Sequence, residues 1–453
     1  MGSSQPPTRR RHVAVIAFPF SSHPAALFTL ARAMAAAAPG TTFSFLSFPG
    51  SVDSLSKIPC RPENLRLCHV ADPTPPGAIP PEQRIGMFLA AAPAYLRAGI
   101  KAAEALDGGG VTCLVSDSLL WMTADVAEEK GVPWVAVWTG GTSALVVHVY
   151  TDRLRKFYGV VHGDAIHPRA DELLDVNVVP GFSEHRVRDL PEGILWKVDS
   201  PFASLVDTMV SKFPRAVAVV ANTIPGLDPG LDAAFASKFK NYLPIGPFTI
   251  LSPLPSPQHD NECVAWLDRQ APASVAYVSF GTLAALPPSE LTELANGLEA
   301  SGVPFLWSMK NKEALPAGFL DRTRGKGLVV DWAPQASVLA HNAVGGFVTH
   351  CGWSSVMESV AAGVPMICRS VFGDQTMTAK MVCNAWKIGF GFSGGAITRE
   401  EVVRGLRMVL RGEEGGREIR ERSSELKSLA WREVKVEGRT VKNLNSLIEI
   451  ING

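Results

Sequence analysis

The sequence has no surplus of either charge: 43 basic and 43 acidic residues cancel. That balance excludes a global attraction to nucleic acid or to an anionic membrane surface, so selection of a partner must come from a local site. Cysteine is scarce and unpatterned. Its seven copies never form a CxxC, which fits reduced thiols in a cytoplasmic setting rather than a disulfide framework or a zinc site. No apolar run reaches bilayer length. The N-terminal "RRRHVAVIAFPF" imitates a leader peptide, but Pro19, two serines, His23 and Pro24 break the apolar run, and the stretch reads as strand, loop, then helix. No GxGxxG follows an early strand, since the glycine run Gly108 to Gly110 precedes one, which argues against a dinucleotide-dependent oxidoreductase. No Asp-rich metal pair appears, and neither a metal nor another cofactor is expected.

What is present is a chain of 453 residues, 46% hydrophobic and 19% charged, too long for one ordinary core. Strand and helix signals alternate along it. Strands are predicted over Val13 to Phe18, Thr42 to Phe48, Cys113 to Ser116, Trp134 to Trp138 and Ala216 to Val220, then Val275 to Phe280, Phe305 to Ser308, Gly327 to Val330, Gly346 to Thr349 and Met366 to Cys368. Short runs without internal alternation, separated by helices, suggest parallel strands covered on both faces, and hence two doubly wound α/β domains. The stretch "LSPLPSPQHD", with Pro253, Pro255 and Pro257, reads as their connection. The predicted organisation is a first domain over 1–250, a linker over 251–258, a second domain over 259–435, and a C-terminal helix over 436–453 returning to the first domain. In open α/β sheets ligands sit beyond the carboxyl ends of strands, so two such domains facing each other would bind substrate in a cleft.

The segment "HCGWSSVMESVAAGVPMICRSVFGDQ", His350 to Gln375, places polar residues among glycines and aliphatics. A strand ending at Thr349, a turn, and a helix from Trp353 towards Ala362 would put free N–H groups, Ser354, Ser355 and His350 at one point, which suits a phosphate. Glu358, one turn on, could accept two ribose hydroxyls. Gly281 and Thr282 after another strand would allow close approach of a pyrophosphate. Each residue alone could equally be a cap, a turn or core.

Trp332 to Gln375, "WAPQASVLAHNAVGGFVTHCGWSSVMESVAAGVPMICRSVFGDQ", resembles the 44-residue box of plant secondary-product glycosyltransferases. "FPFSSHPAALFTLARAM", "LVSDSLLWMTADVA", "VWTGGTSALVVHVYTD", "VPGFSEHRVRDLPEGI" and "SFGTLAALPP" extend the resemblance over nearly the whole chain, towards flavonoid and anthocyanidin 3-O-glucosyltransferases. The resemblance implies a GT-B fold and inverting, metal-free transfer from a UDP-sugar. It places Trp332 on uracil, the Ala333 backbone on the base edge and Gln335 near the ribose. Thr282, His350, Ser354 and Ser355 would hold the diphosphate, Glu358 the ribose, and Asp374, Gln375, Trp353 and Thr139 the sugar. His23, immediately before Pro24, would be the general base, and Asp117 would orient it. His148, Gln83 and Pro191 are implied on the acceptor side, with the loops Pro75 to Phe88 and Arg186 to Trp196 shaping that pocket.

The sequence departs from the family at Ser354, where Asn is usual, at Thr378, and at Pro191, where Gln is common. The expected function is inverting transfer of glucose from UDP-glucose to a phenolic hydroxyl, a flavonol or anthocyanidin 3-OH first, by a monomer whose partners are small molecules. C-glucosylation of a phenolic ring, another small phenol as acceptor, and a non-catalytic nucleotide-sugar binding protein are the alternatives.

Overall fold

The computed structural model describes residues 11–75, 81–163, 165–182, 184–252, 261–282, 284–392 and 395–453. The prolines of the predicted linker, Pro253, Pro255 and Pro257, lie outside them, as does part of the loop predicted from Pro75.

The alternating pattern resolves into two parallel sheets. The first holds β1 (Arg11–Ile16), β2 (Thr41–Ser47), β3 (Leu65–His69), β4 (Cys113–Asp117), β5 (Trp134–Trp138), β6 (Ala218–Ala221) and β7 (Tyr242–Pro244), in the order 3-2-1-4-5-6-7. The second holds β8 (Val275–Ser279), β9 (Phe305–Ser308), β10 (Gly327–Val330), β11 (Val344–Thr349), β12 (Met366–Cys368) and β13 (Gly389–Gly391), in the order 10-9-8-11-12-13. The central strands lack polar alternation because both faces are covered: Val13 to Ile16 and Val135 to Val137 are fully buried. β3, β7 and β13, which the sequence does not announce, are all edge strands of three to five residues. An edge strand is covered less and needs fewer apolar residues, so its signal is weak.

Both sheets are wound outward from the middle. In the first, the chain leaves β1 for β2 and β3 on one side, then returns to β4 and proceeds the other way. The second does the same between β8 and β11. Beyond the carboxyl ends of β1 and β4, and of β8 and β11, consecutive connections diverge and leave a crevice.

The chain forms two compact units. The first comprises Met1–Thr139, Asp199–Leu254 and Val434–Gly453, the second Gly140–Val198 and Pro255–Glu433. In the first unit the terminal helix Arg439–Asn452 puts Leu444, Leu447 and Ile451 into the cluster formed by Leu27, Phe28, Phe43 and Phe45. Thr440 Oγ1 donates to the Gly246 carbonyl at 2.9 Å, and Thr41 Oγ1 donates to Asn452 Oδ1 at 2.9 Å. The second unit is built around Trp307, Phe305, Phe319 and Leu298.

The structure differs from the sequence reading over 140–198, which that reading kept within 1–250. Here the segment belongs to the second unit: His185 Nε2 lies 3.1 Å from the Met377 carbonyl, and Gly141 N–H donates to Asp374 Oδ2 at 3.4 Å. Such links join residues some 200 positions apart, and no local pattern encodes them. No helix among the described residues is long and apolar enough to cross a membrane.

Leu447 is fully buried in the core beneath the helix His23–Ala37. Leu447→Ala is expected to lower unfolding free energy by about 2–4 kcal/mol in a urea titration. A loss below about 0.5 kcal/mol would mean that the terminal helix is not part of that core.

Candidate active site

In the first unit the side chains converge at the β1/β4 crevice. The loop after β1 delivers His23 to the start of the helix His23–Ala37, where Pro24 fits the first turn because its missing N–H has no intrahelical partner to lose. β4 ends on Asp117, whose side chain is 1% exposed while that of His23 is 25% exposed. His23 Nδ1 lies 2.7 Å from Asp117 Oδ2. A carboxylate only accepts, so the Nδ1 proton sits between them. Asp117 Oδ1 also accepts from Leu119 N–H at 3.0 Å.

Thr139, the residue after β5, joins this pair: its Oγ1 is 3.0 Å from His23 Nδ1 and donates to Asp117 Oδ2 at 3.3 Å. The sequence reading assigned Thr139 to the donor sugar. The structure brings its hydroxyl to the histidine–aspartate pair.

An aromatic cluster stands beside His23 that the sequence pattern was not read to contain. Phe18 meets the imidazole edge-on at 5.2 Å, and Phe18, Phe20, Phe48, Phe88 and Tyr95 succeed it with ring separations of 5.1–6.0 Å. An aromatic–proline pair after each of the first two strands, Phe18-Pro19 and Phe48-Pro49, was the available signal. Phe88 and Gln83 both lie on the helix Pro81–Asp107, not on a loop as predicted, and Gln83 is exposed.

In the second unit the β8/β11 crevice collects the other group. The predicted helix is observed with the expected bounds, Trp353–Ala362, and its first turn comes directly after His350, Cys351 and Gly352. Gly281, after β8, has φ +71°, and a Cβ on it would lie 3.0 Å from the His350 ring. On Gly352 a Cβ would lie 2.4 Å from His350 Nε2. Glycine at both positions therefore leaves room for the imidazole. Burial pushes the His350 pKa down to about 4, so at neutral pH the free site holds a neutral donor, not a cation. Ser354 is half-buried, Ser355 buried, and Thr282 exposed.

Trp332, just beyond β10, is 67% exposed, an unusual state for an indole and one that leaves its face open for stacking. Ala333 beside it is buried. Gln335 opens the short helix Gln335–Ala340, and its Nε2 donates to Ser355 Oγ at 2.9 Å and to Glu358 Oε2 at 2.7 Å. The Tyr277 hydroxyl donates to Gln335 Oε1 at 3.3 Å. Three residues chosen separately from sequence thus form one hydrogen-bonded set. Burial raises the Glu358 pKa to about 7, against the opposing bond from Gln335.

Asp374 and Gln375 begin the helix Gln375–Lys380 after β12. The expectation that Gln375 both accepts and donates to a ligand meets a constraint. Its Oε1 already accepts from Val371 N–H at 2.9 Å and Phe372 N–H at 3.2 Å, which leaves the Nε2 end to donate. The start of this loop is held by Arg369, bidentate to Glu290 at 2.7 Å through both nitrogens. Trp353 is 5% exposed and lies against Trp386 at 6.2 Å.

The residues implied on the acceptor side are divided between the two units. Gln83 belongs to the first unit, whereas His148 and Pro191 lie in the 140–198 segment of the second and are buried. Burial also pushes the His148 pKa down to about 4, which makes it a poor base at neutral pH.

Glu358 supports a stability test. Its folded pKa is raised above the unfolded value, so its contribution is fully present below about pH 4.5 and is lost as pH rises through about 7. Glu358→Gln should remove that loss, gaining on the order of 1–3 kcal/mol over the wild type at pH 8.5 but little at pH 5 in urea unfolding. Identical pH dependence in both proteins would place the carboxyl in water.

Two crevices, one with a histidine–carboxylate pair and one with a helix N-terminus, an open indole and a half-buried carboxyl, match a recognised lineage. Residues 90–426 match the family described as UDP-glucoronosyl and UDP-glucosyl transferase. A myricetin 3-O-rhamnosyltransferase of Crocosmia x crocosmiiflora is 50% identical over 453 residues, covering 98% of each chain. An anthocyanidin 3-O-galactosyltransferase of Rhododendron delavayi is 44% identical over 462 residues, again covering 98% of each. The crystal structure of a UDP-glucose: anthocyanidin 3-O-glucosyltransferase in complex with UDP superposes with a TM-score of 0.87 at 36% identity, covering 98% of this chain and 99% of that one. Two Rossmann-like units of the GT-B class, matched by sequence along nearly their whole length, make this chain a member of the UDP-glucuronosyl and UDP-glucosyl transferase family, a plant UDP-sugar-dependent glycosyltransferase similar to flavonoid 3-O-glycosyltransferases.

Proposed function

We propose that the enzyme transfers glucose from UDP-glucose, with inversion, to the 3-hydroxyl of a flavonol or anthocyanidin, with His23 as general base. The observation that carries this reading is the 2.7 Å contact between His23 Nδ1 and a buried Asp117, with the imidazole still partly exposed. Nε2 takes the acceptor proton as the phenolic oxygen attacks the anomeric carbon, and the bond to the diphosphate breaks on the opposite face. Asp117 stabilises the imidazolium that forms. The phenylalanines beside His23 suit a flat, apolar aromatic acceptor.

The departing diphosphate is assigned to the N–H groups at the start of the helix Trp353–Ala362, with Thr282, His350, Ser354 and Ser355. Because these are hydrogen-bond donors on hand, the reaction is proposed to run without a metal. Uracil stacks on Trp332, with the Ala333 backbone at its edge, and Glu358 accepts from the ribose once Gln335 yields its hydrogen bond. Asp374 and the Nε2 end of Gln375 are assigned to the sugar hydroxyls. The relatives named above use rhamnose, galactose and glucose, so the choice of glucose rests on Gln375.

His23→Ala is expected to cut turnover by about 10²-fold or more while leaving UDP affinity within about two-fold, as measured by product formation and calorimetry. Near-normal turnover in that variant on an alcohol acceptor would remove His23 as the base. Offered equal UDP-glucose, UDP-galactose and UDP-rhamnose with a flavonol, the enzyme should turn over UDP-glucose fastest. A preference for either other donor would end the assignment of glucose and with it the role given to Gln375.

A further inference from the structure

We infer that the Arg369–Glu290 ion pair is a specificity-determining positioning element for the donor sugar, on the reading above that Gln375 meets that sugar. Arg369 is the first residue after β12. Its N–H donates to the Thr349 carbonyl at 2.9 Å, its Nε and Nη2 donate to Glu290 Oε2 and Oε1, each at 2.7 Å, and its Nη1 donates to the Ser370 carbonyl. Backbone, side chain and next peptide are thus fixed where the loop to Gln375 begins. Inside that loop Gln375 Oε1 holds the N–H groups of Val371 and Phe372, and Thr376 Oγ1 donates to Ser370 Oγ at 3.2 Å. A planar amide whose oxygen is pinned has its Nε2 direction set by the peptides that pin it. Those peptides directly follow Ser370, whose carbonyl the guanidinium holds.

Glu290 does more than neutralise Arg369. It stands in the first turn of the helix Pro288–Ser301, where the helix dipole favours a carboxylate, and its Oε2 also accepts from the buried Ile397 N–H at 3.0 Å. One carboxylate therefore ties together the helix that follows Gly281 and Thr282, the start of the loop after β12, and the approach to the helix Arg399–Leu406. The pair is largely desolvated, with side chains 16% and 10% exposed, so water competes poorly for its hydrogen bonds. The bonds from Arg369 hold the Glu290 carboxyl below its usual pKa, against burial that pushes it up, so the pair is charged at neutral pH. Epimeric sugars such as glucose and galactose differ only in the direction of one hydroxyl, and telling them apart needs a donor group held within a fraction of an ångström. Residue type at Gln375 does not fix a position that closely, whereas a two-pronged clamp on its loop does.

The test compares UDP-glucose with UDP-galactose, using a flavonol acceptor and the full-length chain. Removing one partner of a desolvated pair lowers stability, so the readout is the ratio of kcat/KM for the two donors, which a smaller active fraction leaves unchanged. Arg369→Ala and Glu290→Gln should each lower kcat/KM for UDP-glucose by roughly 10-fold, shift the donor ratio by about 5-fold or more, and leave calorimetric affinity for UDP, which lacks the sugar, within about two-fold. The double variant should move the ratio less than about two-fold beyond either single one, because the two side chains form one contact. In a Gln375→Ala background, Arg369→Ala should change the ratio by less than about two-fold. An equal fall with both donors would overturn the inference, and so would a ratio shift that persists in the Gln375→Ala background. If Gln375→Ala itself leaves the ratio unchanged, the assignment of Gln375 to the sugar fails and the role of the clamp fails with it. If Gln375→Ala shifts the ratio and Arg369→Ala does not, the clamp alone is removed.

Discussion

Parallel strand pairing imposes the constraint from which the chemistry of this protein hangs. Parallel neighbours need crossover connections, and all strands then end on the same edge of the sheet. Where the winding reverses, between β1 and β4 and between β8 and β11, two connections leave in opposite directions and a crevice opens between them. His23 comes after β1 and Asp117 ends β4. Gly281 and Thr282 come after β8, and His350 after β11. Residues far apart in sequence become neighbours because strand order, not chain order, decides which ends adjoin.

Burial does the second part of the work by setting protonation. His350 and Glu358 stand at the same crevice, and the same desolvation moves them oppositely, the imidazole down and the carboxyl up. Both are driven towards neutrality, so this crevice avoids an unpaired desolvated charge. His148, buried in the same unit, is likewise kept neutral. His23 differs, being partly exposed and paired with a carboxylate, which is the setting in which a histidine can cycle a proton.

Hydrogen bonds already present in the free protein divide the work among side chains more finely than residue types suggest. Gln335 spans Ser355 and Glu358, so a ligand at Glu358 must displace an existing bond. Gln375 uses its carbonyl oxygen to shape its own loop, and Arg369 with Glu290 anchors where that loop starts. The orientation of Gln375 is therefore coupled to backbone shape on the residues after β12.

The sequence by itself determined the two parallel sheets, through apolar runs such as Trp134–Trp138 and Phe305–Ser308, whose bounds coincide with the observed strands. It determined the helix at Trp353, because strand, turn and helix signals are local, whereas the pairing of His23 with Asp117 was implied only by the family resemblance. Tertiary structure alone decided the rest. The edge strands β3, β7 and β13 form because a neighbour offers them a ladder, not because their own pattern demands it. Only packing against Asp374 and Met377 assigns 140–198 to the second unit. The hydroxyl of Thr139 reaches His23 across 116 positions, and Gln375 turns its oxygen inward, for the same reason. A hydrogen bond is chosen by which groups packing brings within about 3 Å, and residue spacing along a chain carries no record of that distance.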